Sequence, residues 1–276
     1  MKNQVLNIIV PNDPNGLKII ELSGWSGKAF IIPRGQLGQI KDRPEVNNPG
    51  IYFLFGKNNS SEQETVYIGE SESFLGRLER HNATRDDWEQ VVVFTGSIDR
   101  ADVKYLENKS TIAAKKAERY EVLNVVQPHL NHLSEARQIS VEDYYSKIIF
   151  ILNLFGYSIF QSAQDSLHDS TIYHLKVGTS KATGSLLDNG EFIIYKNSEA
   201  RIKETPSFAG FAKGFRQALL VSGTFGKTSD ESYVFMKNVI FKSPSAAAAT
   251  VGGRSINGWT AWKDVQGKTL DENVRK

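Results

Sequence analysis

Residues 50–69 read GIYFLFGKNNSSEQETVYIG, and this stretch decides the fold of the first half of the chain. Two runs rich in aromatic and β-branched residues, 50–55 and 65–69, flank a polar segment at 56–64. Such runs are typical of strands, and a polar connection between them is typical of a hairpin loop. The pattern therefore predicts an antiparallel pair of strands joined by a long loop.

Helical spacing follows this predicted hairpin. After Ser73, the apolar residues Phe74, Leu75 and Leu78 recur every three to four positions and predict a helix of two to three turns. Residues 91–94 are consecutive β-branched and aromatic residues and predict a further strand. Two longer helices are predicted after it, over 101–117 and near 140–155.

The chain is long enough for two domains, since its 276 residues exceed the usual size of one. Strands predicted over 5–10 and 28–32 form an N-terminal lead-in, which we place at 1–48. The first domain then covers 49–156, and a second one, richer in turns, covers 157–276. We expect an α+β fold with a small central antiparallel sheet flanked by helices, followed by a mixed α/β domain.

The C-terminal part offers fewer signals. Residues 192–195 and 219–221 are candidate core segments. Ser243 followed by Pro244 and four alanines predicts a helix start, because serine caps free backbone amides and proline suits the first helical position. Asn257-Gly258 predicts a turn.

Composition narrows the classes of protein. With 40% hydrophobic and 23% charged residues the chain can bury a core, and it contains no cysteine. The missing thiols exclude disulfide scaffolds, thiolate zinc sites and iron–sulfur clusters, and they fit a reducing compartment, so we expect a cytoplasmic protein. We expect no membrane partner, since residues 1–10 lack the apolar run of a signal peptide and the most apolar stretch, 148–155, is too short to span a membrane. The net charge of +2 does not by itself indicate nucleic-acid binding.

Two familiar motifs are incomplete or missing. Residues 226–228 (Gly-Lys-Thr) imitate the end of a phosphate-binding loop, but Val221 stands where its first glycine is needed. The hypothesis of a nucleotide-dependent enzyme therefore depends on this tripeptide alone, and failure of the protein to bind ATP would exclude it. No Gly-x-Ser-x-Gly sequence occurs, which argues against a serine hydrolase of that class.

A group of ordered polar residues remains. Gly50-Ile51-Tyr52 lies on one predicted strand and Tyr67-Ile68-Gly69 on its partner. Arg77 and His81 are four residues apart and share a helix face. Taken one at a time, these could be half-buried strand tyrosines and a solvated helix face. In this order the residues resemble the GIY-YIG nuclease family, in which Glu107 and Asn124 match the positions of the metal-binding glutamate and of a further site asparagine.

The resemblance implies a metal-dependent endonuclease that hydrolyses phosphodiester bonds of DNA. Glu107 would hold one divalent cation, Mg²⁺ or Mn²⁺. Tyr52 would act as general base with His81 relaying its proton, and Arg77 would bind the phosphate. Tyr67 would hydrogen-bond the phosphate or the water. The resemblance also gives Asn124 an orienting role, toward the glutamate or the backbone.

A second resemblance lies near the C-terminus. Residues 241–270 look like the uncharacterised C-terminal domain that accompanies GIY-YIG domains in restriction-associated proteins. This implies DNA binding and target recognition, with a role in restriction or genome defence. Trp259 and Trp262 could stack on bases or could equally hold a small core together. The predicted nucleic-acid-binding residues are these two tryptophans with Arg254, Lys263 and Lys268.

Alternatives stay open at this point. The fold could serve a binding or regulatory protein that acts on RNA or does not cut. Cutting both strands with one site per chain needs two protomers or two successive nicks, so a homodimer on DNA is one expectation.

Overall fold

A computed structural model of the chain describes residues 4–11, 13–58, 64–126, 132–161, 171–187, 189–205, 208 and 211–276, with side chains omitted at 211–212. These residues divide into two compact units, of which the first ends at Phe160 and the second begins at Gln161. Both units combine sheets with helices. The α+β class predicted from the sequence is confirmed.

The first unit carries seven strands and three α-helices among its described residues, with two short 3₁₀ helices. The strands are β1 (Leu6–Ile9), β2 (Lys18–Leu22), β3 (Gly27–Pro33), β4 (Gly50–Lys57), β5 (Glu64–Ser71), β6 (Gln90–Gly96) and β7 (Glu121–Val122). The helices are α1 (Phe74–Thr84), α2 (Arg100–Ala117) and α3 (Glu135–Leu154), and the 3₁₀ turns are Arg34–Ile40 and Pro44–Asn47.

All seven strands form one sheet in the order β1-β2-β3-β6-β4-β5-β7. The predicted hairpin is its centre: β4 pairs antiparallel with β5 from Gly50 opposite Ser71 to Lys57 opposite Glu64. Most of the connecting loop lies outside the described residues. The two lead-in strands become β1 and β3 of this same sheet, so the sheet is wider than the small one expected.

The sheet is covered on both faces. On one face α2 and α3 contribute residues such as Leu106 and Ile148 to a core with Ile51 and Ile68. On the other face α1 and the 3₁₀ turns pack residues such as Phe74 against the side chains of the alternate strand positions. Tyr52 belongs to this second core, because successive strand residues point to opposite faces.

The second unit holds two smaller antiparallel sheets. The strands are β8 (Tyr173–Val177), β9 (Ser180–Leu186), β10 (Phe192–Ile194), β11 (Glu199–Arg201), β12 (Phe225–Lys227), β13 (Ser232–Phe235) and β14 (Val239–Phe241). One sheet has the order β14-β10-β9-β8 and the other β11-β13-β12. The helices are α4 (Phe211–Val221), α5 (Pro244–Gly252), α6 (Gly258–Ala261) and α7 (Leu270–Val274).

Two expectations for this unit can be compared directly with the structure. The Ser243 cap is confirmed, since its hydroxyl accepts the amide of Ala246 at 3.1 Å and Pro244 opens α5. The prediction that residues 219–221 together form a core segment is wrong. This segment lies at the end of helix α4, whose spacing buries Leu219 but leaves Val221 78% exposed.

Within the described ranges, no helix combines the length and apolar character that a membrane crossing needs.

Candidate functional site

The two predicted tyrosines meet on one face of the β4–β5 pair. Tyr52 lies opposite Gly69, and Tyr67 lies opposite Leu54, so the two rings are diagonal neighbours with centroids 6.4 Å apart. Tyr52 crosses directly over Gly69: a Cβ atom there would stand 2.3 Å from its hydroxyl oxygen. Glycine is needed at 69 because only a residue without a side chain leaves room for the Tyr52 ring.

Helix α1 delivers the next two residues to the same place. The Tyr52 hydroxyl lies 3.0 Å from Nε2 of His81, and Nε of Arg77 donates to that hydroxyl at 3.2 Å. The His81 ring also packs against Tyr67 with centroids 5.1 Å apart. The four predicted residues thus form one cluster, in which Tyr52 and His81 are buried while Tyr67 and Arg77 are partly exposed.

Burial keeps the inner pair of this cluster neutral. Burial and, after it, the nearby charges of Arg77 and Arg85 together lower the pKa of His81 to about 4. Burial also raises the pKa of Tyr52 above the usual range of a phenol, although the hydrogen bond from Arg77 opposes this. The Tyr52 hydroxyl therefore keeps its proton and can donate it to a neutral His81.

This protonation state bears on the expected roles. Proton transfer from Tyr52 to His81 is strongly uphill when the phenol holds its proton so tightly and the imidazole accepts one so poorly. A general-base role for Tyr52 therefore requires charges that arrive with a substrate or a metal. In the protein alone, the pair acts as a fixed hydrogen-bonded support beneath Arg77.

Glu107 approaches the cluster from helix α2. Burial raises the pKa of its carboxyl to about 7, and the negative charge of Glu70 adds to the rise, while Arg77 and Lys104 oppose it. Within the described ranges, Glu107 has neither a hydrogen-bond partner nor an ion-pair partner. A carboxylate held in this state gains from a cation, because a cation replaces the stabilisation that water no longer supplies.

The residues present suit a site in which the protein supplies only one or two ligands to a hard divalent cation, rather than a site built wholly from protein ligands. No cluster of three or more His, Cys, Asp or Glu able to hold a metal occurs within the described residues. Mg²⁺ is bound in many proteins through one or two carboxylates, with water and substrate phosphate oxygens completing its shell. Glu107, with Glu70 near enough to shift its pKa, fits that donor set.

Asn124 is placed by the structure at the backbone of β5. Its side-chain oxygen accepts the amide of Ile68 at 3.0 Å, and its side-chain nitrogen donates to the carbonyl of the same residue at 2.7 Å. Ile68 lies between Tyr67 and Gly69, so this buried amide fixes the backbone that carries both. Of the two orienting roles expected for Asn124, the structure shows the contact to the backbone.

The structure adds two residues that the sequence analysis missed. Glu70 directly follows Gly69 and influences Glu107. Arg85 lies one residue beyond α1 with its guanidinium carbon 4.5 Å from the centroid of the Tyr67 ring. The position of Glu70 next to Gly69 could have indicated that it lies near the cluster. Nothing in the sequence spacing of Arg85 indicates that its side chain packs against the Tyr67 ring.

The predicted nucleic-acid-binding residues of the second unit have unequal positions. Arg254, Lys263 and Lys268 are exposed. Trp262 is fully buried, stacks near Phe192 and donates its indole N–H to a backbone carbonyl, so base stacking by Trp262 is wrong and the core alternative holds.

Trp259 differs from its neighbour. It is partly exposed, and the guanidinium of Arg275 lies 3.5 Å from its ring centroid. One face of this indole is therefore already covered by a cation, and stacking on a base would use the other face.

The fold defines the class: a two-unit α+β protein whose first unit carries a Tyr–Arg–His cluster, with Glu107 near enough to interact with it electrostatically. Comparison with known proteins identifies the second unit, where residues 173–274 match the family described as "Domain of unknown function (DUF4357)". The expected C-terminal domain is thereby confirmed. No curated protein and no solved structure matches the chain. The GIY-YIG resemblance has no family match behind it and stays a hypothesis.

Proposed function

We propose that the chain is a metal-dependent endonuclease of the GIY-YIG type that hydrolyses phosphodiester bonds of DNA. The observation that carries the proposal is the convergence of Tyr52, Tyr67, Arg77 and His81 in one cluster whose electrostatics extend to Glu107. These residues come from two strands and two helices.

Each residue of the cluster has a chemical task in this reaction. Arg77 keeps its charge at all working pH values, because the hydrogen bond to Tyr52 raises its pKa further. Its planar guanidinium matches two phosphate oxygens. The partly exposed hydroxyl of Tyr67 can hydrogen-bond the phosphate or the attacking water. Tyr52 and His81 hold Arg77 in place through the hydroxyl that Arg77 contacts.

The metal would be held by Glu107, beside Glu70, whose negative charge raises the pKa of the Glu107 carboxyl. A bound Mg²⁺ would supply positive charge to the phosphate as negative charge develops in the transition state. The remaining steps would belong to the side chains: Arg77 would bind and orient the phosphate, and Tyr67 would position the water. The proton of the attacking water would pass to Tyr52 as the Tyr52 hydroxyl gives its own proton to His81, and the departing sugar oxygen would take a proton from solvent.

The second unit would contribute DNA binding through its exposed cations. Arg254, Lys263 and Lys268 are the candidates, and Trp259 could stack through its uncovered face. A role in restriction or genome defence belongs to this proposal, as does a homodimer on DNA for cutting both strands. A protein with the same site that binds DNA or RNA without cutting is the alternative.

The test compares the full-length protein with two variants, Glu107→Gln and Arg77→Gln, on unmodified and adenine-methylated plasmid with Mg²⁺, Mn²⁺ or EDTA. We expect the parent to cut, EDTA to abolish cutting, and each variant to lose at least about 100-fold in rate. Glu79→Gln is the matched control, because this exposed carboxylate on α1 pairs with Lys41 at the surface.

A second readout separates metal binding from catalysis. Mn²⁺ binding followed by electron paramagnetic resonance is expected for the parent and for Arg77→Gln, but not for Glu107→Gln. Cutting by Glu107→Gln at the parent rate would refute the metal assignment. Binding of nucleic acid without any metal-dependent cutting of DNA would favour the alternative.

A further inference from the structure

Arg85 is held in an unusual place beside the candidate site. Its guanidinium lies 4.5 Å from the centroid of the Tyr67 ring, a distance at which a cation and an aromatic face attract each other. Asp87 fixes the plane of this guanidinium with two hydrogen bonds, of 3.0 Å from Nε and 2.7 Å from Nη2. The side chain therefore cannot turn away from the ring without breaking a two-pronged ion pair.

The backbone of Arg85 is fixed as well. Its amide donates to the carbonyl of His81 at 2.9 Å and ends helix α1. Its carbonyl accepts from the guanidinium of Arg34 at 2.6 Å. Arg85 is thus tied to His81 through the main chain and to Tyr67 through the side chain.

These contacts form a continuous chain of neighbouring side chains. The Arg85 guanidinium lies against Tyr67, Tyr67 packs on His81, and His81 faces the Tyr52 hydroxyl. We propose that Arg85 is a positioning residue of the site, which presses Tyr67 against His81 and whose charge acts on the imidazole that meets the Tyr52 hydroxyl.

The charges around His81 support this role. Arg77 and Arg80 lie on its own helix, Arg85 and Asp87 follow that helix, and Tyr52 and Tyr67 face it from the sheet. After burial, Arg77 and Arg85 are the main causes that lower the pKa of His81, whereas Asp87 raises it. Arg85 and Asp87 therefore act on His81 with opposite signs.

The consequence for cleavage rests on the proposed function, but the first test does not. His81 is observed by NMR in full-length protein labelled with ¹³C at histidine Cε1, and its signal is assigned by its absence from His81→Gln. At pH 4.5 we expect a larger protonated fraction of His81 in Arg85→Gln and a smaller one in Asp87→Asn than in the parent. Asp86→Asn is the matched control, since this exposed neighbour is not among the groups that shift His81.

Arg85→Lys separates charge from shape. Lysine keeps the positive charge but lacks the plane that Asp87 fixes, so His81 should stay as neutral as in the parent. Cleavage should fall about tenfold or more in Arg85→Gln and recover in part in Arg85→Lys. The proposal is overturned if Arg85→Gln and Asp87→Asn shift His81 in the same direction, or if neither shifts it. Should Arg85→Gln fail to fold, the Asp87→Asn and Arg85→Lys titrations decide alone.

These outcomes are distinguishable from failure of the nuclease proposal. If the parent does not cut DNA but the opposite shifts of His81 are found, the positioning role stands without the reaction. If the parent cuts and the shifts are absent, only the role of Arg85 falls.

Discussion

At the scale of single residues, the cluster around Tyr52 depends on the absence of a Cβ atom at Gly69. The backbone of Gly69 leaves the space that the Tyr52 ring occupies, and a methyl group there would collide with the ring. The ring cannot move aside easily, because its hydroxyl is tied to Arg77 and His81. A small change at this position should therefore disturb the whole cluster.

We expect Gly69→Ala to lower the free energy of unfolding by about 2 kcal/mol and to abolish any cleavage, because overpacking a rigid core typically costs 1–3 kcal/mol. Urea denaturation and the plasmid assay measure the two effects. Gly76→Ala in α1 is the control: a Cβ there meets nothing within 4 Å, so this variant should be unchanged or slightly more stable. Equal stability of Gly69→Ala and the parent would show that the ring can yield.

His81 should make the protein sensitive to acid. Its pKa is lowered to about 4 in the folded state, against about 6.5 when unfolded, so the unfolded chain binds the extra proton in between. The stability associated with the neutral imidazole is full above pH 6.5 and is lost as the pH falls toward 4. This term amounts to at most about 3 kcal/mol.

We expect His81→Gln to flatten the fall in the free energy of unfolding between pH 6.5 and 4 relative to the parent. The measurement is urea denaturation at several pH values in that window. The slope is compared rather than the absolute stability, because the variant also changes the hydrogen bond to Tyr52. Parallel curves for the two proteins would contradict the assignment of a neutral, buried histidine.

At the scale of elements, local capping decides where helices begin. Helix α5 starts with Ser243, whose hydroxyl accepts an amide, and ends at Gly253 in the left-handed conformation. Helix α2 starts with a reciprocal pair in which Asp99 and Asp102 each accept the other's backbone amide. Both starts follow from residue types that satisfy free amides of the first turn.

We expect Ser243→Ala to cost about 1 kcal/mol, as loss of a serine cap typically does. Chemical denaturation followed by tryptophan fluorescence reports it, since Trp262 lies in the same unit. Ser134→Ala is the control, because the Ser134 side chain caps no amide of α3. A loss of similar size in both variants would mean that the measured effect does not come from the cap.

At the scale of the whole molecule, the two units keep separate cores. The core clusters of the first unit contain residues up to Ile159, and that of the second begins at Tyr173. The candidate site lies within the first unit, and the DUF4357 match lies within the second. The proposal therefore assigns cutting and target binding to separately packed parts of the chain.

We expect Lys263→Ala combined with Lys268→Ala to weaken DNA binding uniformly across sequences and to reduce the salt dependence. Each lost phosphate contact should lower the slope of log K against log salt by about one. Fluorescence anisotropy at several salt concentrations measures this. Glu107→Gln should keep the parent slope, since Glu107 carries no positive charge. An unchanged slope in the double variant would show that Lys263 and Lys268 do not form the DNA-binding surface.

The sequence by itself determined the local features of this protein. Runs of β-branched and aromatic residues predicted β4, β5 and β6, and the helical spacing of apolar residues predicted α1 and α2, because backbone geometry fixes a repeat of 3.6 in helices. The helix expected near 140–155 corresponds to α3. The order of Gly50-Ile51-Tyr52, Tyr67-Ile68-Gly69, Arg77 and His81 gave the members of the site, and Ser243 gave a helix start. The prediction for residues 219–221 failed, because a run of three apolar residues fits a strand and a helix end equally well.

Only the tertiary structure decided which residues that are far apart in the sequence come together. The joining of β1 and β3 to the central sheet, the burial of Trp262, the approach of Glu70 to Glu107 and the return of Arg85 to Tyr67 all depend on long-range packing. The protonation states of Tyr52 and His81 belong to the same group. A side chain's charge depends on the water and the charges around it, and these are set only when distant segments close over it.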